Sequence, residues 1–159
     1  MRSPTTDLLG ACCAVVGLDL AIRAYPAGDP VRDRAHTALL ERLRAQLHPT
    51  LTWRTEVPLP LELDLRAWDA QIGGVGWRVR VEAEMRIDDG QALERRLALK
   101  VRDGGEGHVV VLVAETRANR AALVALRPHL RALLPLDTRA ILTALRAGRD
   151  PGGNGIVML

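Results

Sequence analysis

Apolar positions recur with two different periods along this 159-residue chain, and each change of period marks an element. Residues 8–16 are almost continuously apolar or small. They predict a short helix, with Thr5-Thr6-Asp7 as its cap and Gly17 as its end. Residues 18–24 alternate as a strand does. Tyr25-Pro26-Ala27-Gly28-Asp29-Pro30 then reads as a turn, with Asp29 and Pro30 placed as N-cap and first helical residue. Ala35, Leu39, Leu43 and Leu47 fall on one stripe and predict a helix over 31–47, closed by Pro49. The period then drops to two. Strand-like segments cover 51–57, 65–72 and 77–85, parted by Pro58 and Pro60 and then by Gly73-Gly74-Val75-Gly76. Leu93, Leu97 and Val101 restore a helical stripe over 88–102, ended by Gly104 and Gly105. Residues 108–114 are unbroken in hydrophobicity, the pattern of a strand buried on both faces. Thr116 is placed to cap a helix running to Leu134 and bent at Pro128. A last helix over 138–147, a Gly/Pro-rich turn over 148–153 and an edge strand over 156–159 complete the chain.

This order predicts an α/β (α+β) fold: a central mixed sheet of four to five strands flanked by helices. Residues 31–159 form its single compact unit, and residues 1–30 a light extension of one helix and one strand. With 48% apolar and 26% charged residues the chain can bury a core. That core is aliphatic, since there is no Phe and one Tyr, which argues against a sheet that stacks bases on aromatic side chains. The net charge of +3 is small, so the pI near 9.5 reflects a slight arginine excess and gives little support to an anionic partner. Cys12 and Cys13 are adjacent, lack metal-ligand spacing and fit a reducing, cytoplasmic setting. Leu9-Gly10-Ala11-Cys12 resembles the residues before a lipoprotein cleavage site. Too little chain precedes it, however, and Asp7 interrupts that stretch. No stretch is long enough to span a membrane, so no membrane partner is expected.

Candidate chemistry concentrates in three carboxylates. Glu82 and Glu84 lie two apart in Trp77-Arg78-Val79-Arg80-Val81-Glu82-Ala83-Glu84, on one face of a strand and about 7 Å apart. Asp69 sits on the preceding strand, where a hairpin brings it alongside. Three carboxylates at one sheet edge need a cation, so Asp69, Glu82 and Glu84 are a candidate site for Mg²⁺ or Mn²⁺. The competing reading is structural. Arg78, Arg80 and Arg86 share that strand face and would neutralise the acids, while Trp77, Val79, Val81, Ala83 and Met85 form the core face. Lys100, the only lysine, lies about 18 Å along its helix axis from a start near Asp88, which argues against its joining the carboxylates. His36, His48, His108 and His129 show no ligand spacing and are expected at helix ends or on the surface.

The central order of helix, three strands, helix, strand, with Asp69 in the second strand and Glu82-Ala83-Glu84 in the third, resembles the PD-(D/E)xK, restriction-endonuclease-like superfamily. The resemblance implies an αβββαβ core, with Asp69 as the metal-bridging aspartate and Glu82 as a second ligand. Glu84 would stand at the usual lysine position, Glu41 in place of an additional acidic ligand, and Gln91 as a polar residue near substrate. A second set of phrases includes Gly28-Asp29-Pro30-Val31-Arg32-Asp33, Leu65-Arg66-Ala67-Trp68-Asp69-Ala70, Leu93-Glu94-Arg95-Arg96 and Thr116-Arg117-Ala118-Asn119-Arg120. With the tail Gly148-Arg149-Asp150-Pro151-Gly152-Gly153, they resemble the C-terminal domain of actinobacterial Xre-type helix-turn-helix regulators. In such proteins a DNA-binding module precedes this region; the few residues before Leu9 leave no room for it, so its DNA recognition is not assigned to these residues.

Two functions follow as expectations. The first is a noncatalytic regulatory or interaction domain on a nuclease-like scaffold, with DNA, a helix-turn-helix protein or a second copy as partner. The second is an Mg²⁺-dependent phosphodiesterase acting on nucleic acid, with Asp69, Glu82 and Glu84 on the metal and Glu84 and Gln91 near the chemistry. In either case Arg86, Arg117, Asn119 and Arg120 are candidate phosphate contacts, the last three because they open a helix after a buried strand, where backbone N–H groups favour an anion.

Overall fold

Strand and helix follow one another in the structure much as the apolar spacing predicts. The computed structural model describes residues 6–17, 30–61 and 64–159, divided into two compact units, Met1–Pro30 and Val31–Leu159. The first contains α1 (Thr6–Val15), which Gly17 follows at φ 73°. The strand expected over 18–24 and the turn with its Asp29 cap lie outside the described residues, as does Thr5.

The second unit takes in α2 (Pro30–Arg44) from Val31 onward, then β1 (Thr52–Pro58), β2 (Ala67–Gly74), β3 (Trp77–Glu84), α3 (Gly90–Asp103) and β4 (His108–Val113). It ends with α4 (Arg117–Leu130), α5 (Thr138–Arg146) and β5 (Gly155–Met158). The five strands form one mixed sheet in the order β1-β2-β3-β4-β5: the first three pair antiparallel, and β4 and β5 run parallel to β3. The β2–β3 hairpin turns at Val75-Gly76. Gly76 takes φ 78°, and a Cβ on Gly74 would fall 2.2 Å from the Trp77 ring, so glycine is required there.

Side-chain alternation along β4 divides the core between the two faces of the sheet. Val110 and Leu112 pack with Leu39, Leu40 and Leu43 of α2 and with Ile141, Leu142 and Leu145 of α5. Val111 and Val113 pack with Leu93 and Leu97 of α3 and Leu130 of α4. The sheet is therefore covered on both sides, which accounts for the unbroken hydrophobicity of β4. The helix expected to reach Leu134 ends at Leu130 instead. Pro128 lies in its last turn, where the missing N–H removes a hydrogen bond to residue 124.

Asn119 holds α4 against the rest. Its side chain is fully buried; Nδ2 donates to Met85 O at 3.0 Å and Ala114 O at 2.8 Å, and Oδ1 accepts from Ile87 N at 3.0 Å. One amide thereby joins the end of β4, the start of α4 and the β3–α3 loop. Asn119→Ala strands two acceptors and a donor and is expected to reduce stability by about 3 kcal/mol. Urea denaturation with an unchanged m-value checks this; a loss below about 0.5 kcal/mol would show that the loop does not depend on the amide.

Candidate functional site

The residues around Asp69 break the regularity of the sheet. The β2–β3 register runs from Gly74↔Trp77 to Ala70↔Val81 and stops there. The Asp69 carboxylate takes the place of the main-chain acceptor: Oδ2 accepts from Ala83 N at 2.7 Å. On the other side, the β1–β2 pairing passes from Thr55↔Ala70 to Val57↔Trp68 without a pair between Glu56 and Asp69. Glu56 adopts φ 50°, the one non-glycine residue with positive φ among the described residues. The pleat loses phase at this point. Ala70 and Ile72 face α2 and α5, whereas Trp68 packs with Leu59, Val109 and Val101 on the α3 side.

His36, on α2, approaches Asp69 Oδ2 with Nε2 at 3.4 Å. No acceptor is aligned with Nε2 well enough for a hydrogen bond, so the contact is chiefly electrostatic. Proximity to Asp69 raises the His36 pKa above its ordinary 6.5, against the opposing effect of burial, with smaller contributions from Glu82 and Glu84. His36, Glu41, Thr55, Glu56 and Asp69 line an open depression of about 350 Å³. The sequence placed His36 at a helix end or on the surface. The available signal was its position one and two helical turns before Leu40 and Leu43, on a half-buried row.

Glu82 and Glu84 face the other way, under α3. Lys100 Nζ lies 2.6 Å from Glu82 Oε2 and 2.8 Å from Ala67 O, and its ammonium stands 5.3 Å from the centre of the Trp68 ring. Arg96 pairs with Glu84 and brings Nε to 3.7 Å from Glu82 Oε1. These two cations correct the expectation that Arg78, Arg80 and Arg86 would neutralise the acids. Arg80 is buried and donates to Gly105 O at 3.2 Å, and Arg86 pairs with Asp88.

They also overturn the argument from axial distance against Lys100. After β3 the chain turns, and α3 runs back over the strand. Four helical residues advance about 6 Å and two strand residues about 6.6 Å. Arg96 and Lys100 therefore match Glu84 and Glu82 in reverse order. Distance from the helix start measured the path outward and missed the return.

Burial pushes the Glu82 carboxyl up to about 7; repulsion from Asp69 adds to the shift, and Lys100 opposes it. Burial likewise raises Glu84, with Arg96 pulling it back. The chemistry of the donor set does not fit a divalent ion. Both Glu82 oxygens face cationic groups, one Glu84 oxygen faces Arg96, and one Asp69 oxygen is occupied by Ala83 N–H and His36. Among the described residues, no three His, Cys, Asp or Glu side chains are gathered closely enough to hold a metal.

The remaining candidates are dispersed. Gln91 is exposed in the first turn of α3 and does not line the depression of about 250 Å³ that Glu84 shares with Arg86 and Arg96. Arg117 and Arg120 are exposed at the start of α4, with Arg120 paired to Glu115. Asn119 is a correction: expected at a phosphate, it is fully buried, with its amide committed to main-chain partners. Its place on the inner row with Leu123, Leu126 and Leu130 explains the burial. Comparisons of the chain with protein-family models, curated proteins and solved structures gave no match.

At pH 8, Lys100→Met removes the closest cation from the buried Glu82 carboxylate, leaving only Arg96 at 3.7 Å, and is expected to cost about 3 kcal/mol, whereas adding Glu82→Leu should recover most of the loss. A double-mutant cycle by urea denaturation checks this; equal losses in single and double variants would remove the pair from its structural role. The pH dependence has a definite sign. Glu82 rises from its ordinary 4.5 to about 7, so the native state binds more protons across that window and stability falls as pH rises through it. His36, raised above 6.5, extends the fall upward, while Asp103, lowered to about 2, acts only below its ordinary 3.8. Thermal midpoints should decline from pH 5 to pH 8, and Glu82→Gln should flatten the profile; a rise with pH would contradict the assignment.

Proposed function

We propose that residues 31–159 form a noncatalytic regulatory or interaction domain, of the kind found in transcription-regulator-like proteins, on a nuclease-like scaffold. One observation carries this reading: the carboxylates that a nuclease would commit to a metal are engaged by the protein itself. Glu82 is held by Lys100, Glu84 by Arg96, and Asp69 by the Ala83 amide and His36. Releasing Glu82 for a metal would strand a buried ammonium with only a carbonyl and an aromatic face as partners. The restriction-endonuclease-like resemblance supports the scaffold, and the resemblance to helix-turn-helix regulators supports the setting.

The phosphodiesterase reading keeps one point in its favour. Lys100 brings an ammonium against Glu82, supplying from α3 the cation that the Glu82-Ala83-Glu84 segment lacks. Calorimetric titration with Mn²⁺ separates the two, with Asp69→Asn as control and cleavage assays on single- and double-stranded DNA alongside. The regulatory reading expects no saturable heat, no rise in melting temperature and no cleavage. Saturable binding that Asp69→Asn abolishes would replace it with the nuclease reading.

A further inference from the structure

Helix α4 carries no acidic residue from Arg117 to Leu130. Its inner row, Asn119, Leu123, Leu126 and Leu130, is committed to the interior: Asn119 to the β3–α3 loop, and the leucines to the cluster around Leu93 and Leu97. Its outer row runs Arg117, Arg120, Val124, Arg127 and Arg131, separated by three, four, three and four residues. That spacing aligns four guanidinium groups along one side of the helix over about 21 Å. Arg117 and Arg131 are exposed and have no acidic partner among the described residues. Arg120 pairs with Glu115, and Arg127 reaches Pro135 O at 3.4 Å. Ala118, Ala121 and Ala125, exposed beside the row, leave room for close approach.

We propose that the outer face of α4 is a docking surface for the phosphate backbone of nucleic acid. An extended row of fixed positive charge suits a polyanion whose charges are also spaced in a row, and guanidinium groups bind phosphate oxygens in bidentate fashion. A lipid surface is less well matched. The large apolar side chains of α4 are spent on the core, and Val124 alone is offered outward. The inference deepens the interaction reading above, and rests on it in that the domain works by binding.

Fluorescence anisotropy with a labelled 20-base-pair duplex of mixed sequence tests it, in EDTA so that metal-dependent cleavage does not enter. Neutralising four phosphates should weaken binding about 10²-fold between 50 and 200 mM salt. Arg117→Gln combined with Arg131→Gln should weaken binding at 50 mM salt and reduce the slope of log K against log salt by about two. Arg139→Gln combined with Arg149→Gln, on and just beyond α5, should leave the slope unchanged. Circular dichroism verifies that both pairs fold. Failure of the unaltered protein to bind, an unchanged slope in the α4 pair, or equal loss in the α5 pair would each overturn the proposal. Phosphatidylserine vesicles bound more tightly than the duplex through the same arginines would overturn it in favour of a membrane. Because metal is chelated, failure here leaves the reading of the acidic network intact, and metal-dependent cleavage found elsewhere would leave this surface intact.

Discussion

A charged face on a strand that must be buried governs the design of this domain. β3 lies third of five strands, between β2 and β4, with helices over both faces, yet one of its faces carries Arg78, Arg80, Glu82 and Glu84. Removing carboxylates from water is costly unless cations come with them. α3 supplies both cations from positions four residues apart, on the flank that also presents Leu93 and Leu97 to the core. Ionic and apolar matching thus demand the same rotation and axial position of α3, and a slip by one turn would lose both. α4, packed through Leu130 against the same cluster, inherits that placement.

Asp69 meets a different demand. Where β2 leaves the regular ladder it would deprive Ala83 of an acceptor, and the carboxylate makes good that loss. A single side chain thereby ends one hydrogen-bonding pattern and presents a negative charge to His36 of α2. Burial first, and the charge of Asp69 second, keep Glu82 hard to ionise despite an ammonium at 2.6 Å. The acidic motif is thus divided between the two faces of the sheet, which differs from three carboxylates converging on one point.

Much of the fold was legible because it depends on periodicity. The leucine stripes of α2 and α3, the continuous apolar run of β4 and the glycine-rich hairpin required no knowledge of partners. The site was harder to read because it depends on events between elements. Ideal alternation would put Trp68 and Ala70 on one face, yet they belong to different core clusters, beside a left-handed residue in the neighbouring strand. Lys100 was set aside by a distance measured along one helix. A better signal was present in the same residues: Lys100 follows Leu93 and Leu97 on the buried stripe, and a lysine there requires an acid opposite. Asn119 gave a similar warning. Treating the start of α4 as an anion site overlooked that its third residue belongs to the inner row.

Glu56, described above for its effect on the pleat, also bears on how copies of this protein meet. β1 is an outer strand, and a straight outer strand offers unpaired main-chain groups to any other chain. A left-handed residue at Glu56 and a proline two positions later interrupt that row of donors and acceptors. At the opposite border, Leu136 bridges to Gly155 and bonds on both sides of it, through Asn154 O and Ile156 N. Both borders are thus poor templates for a continuing sheet.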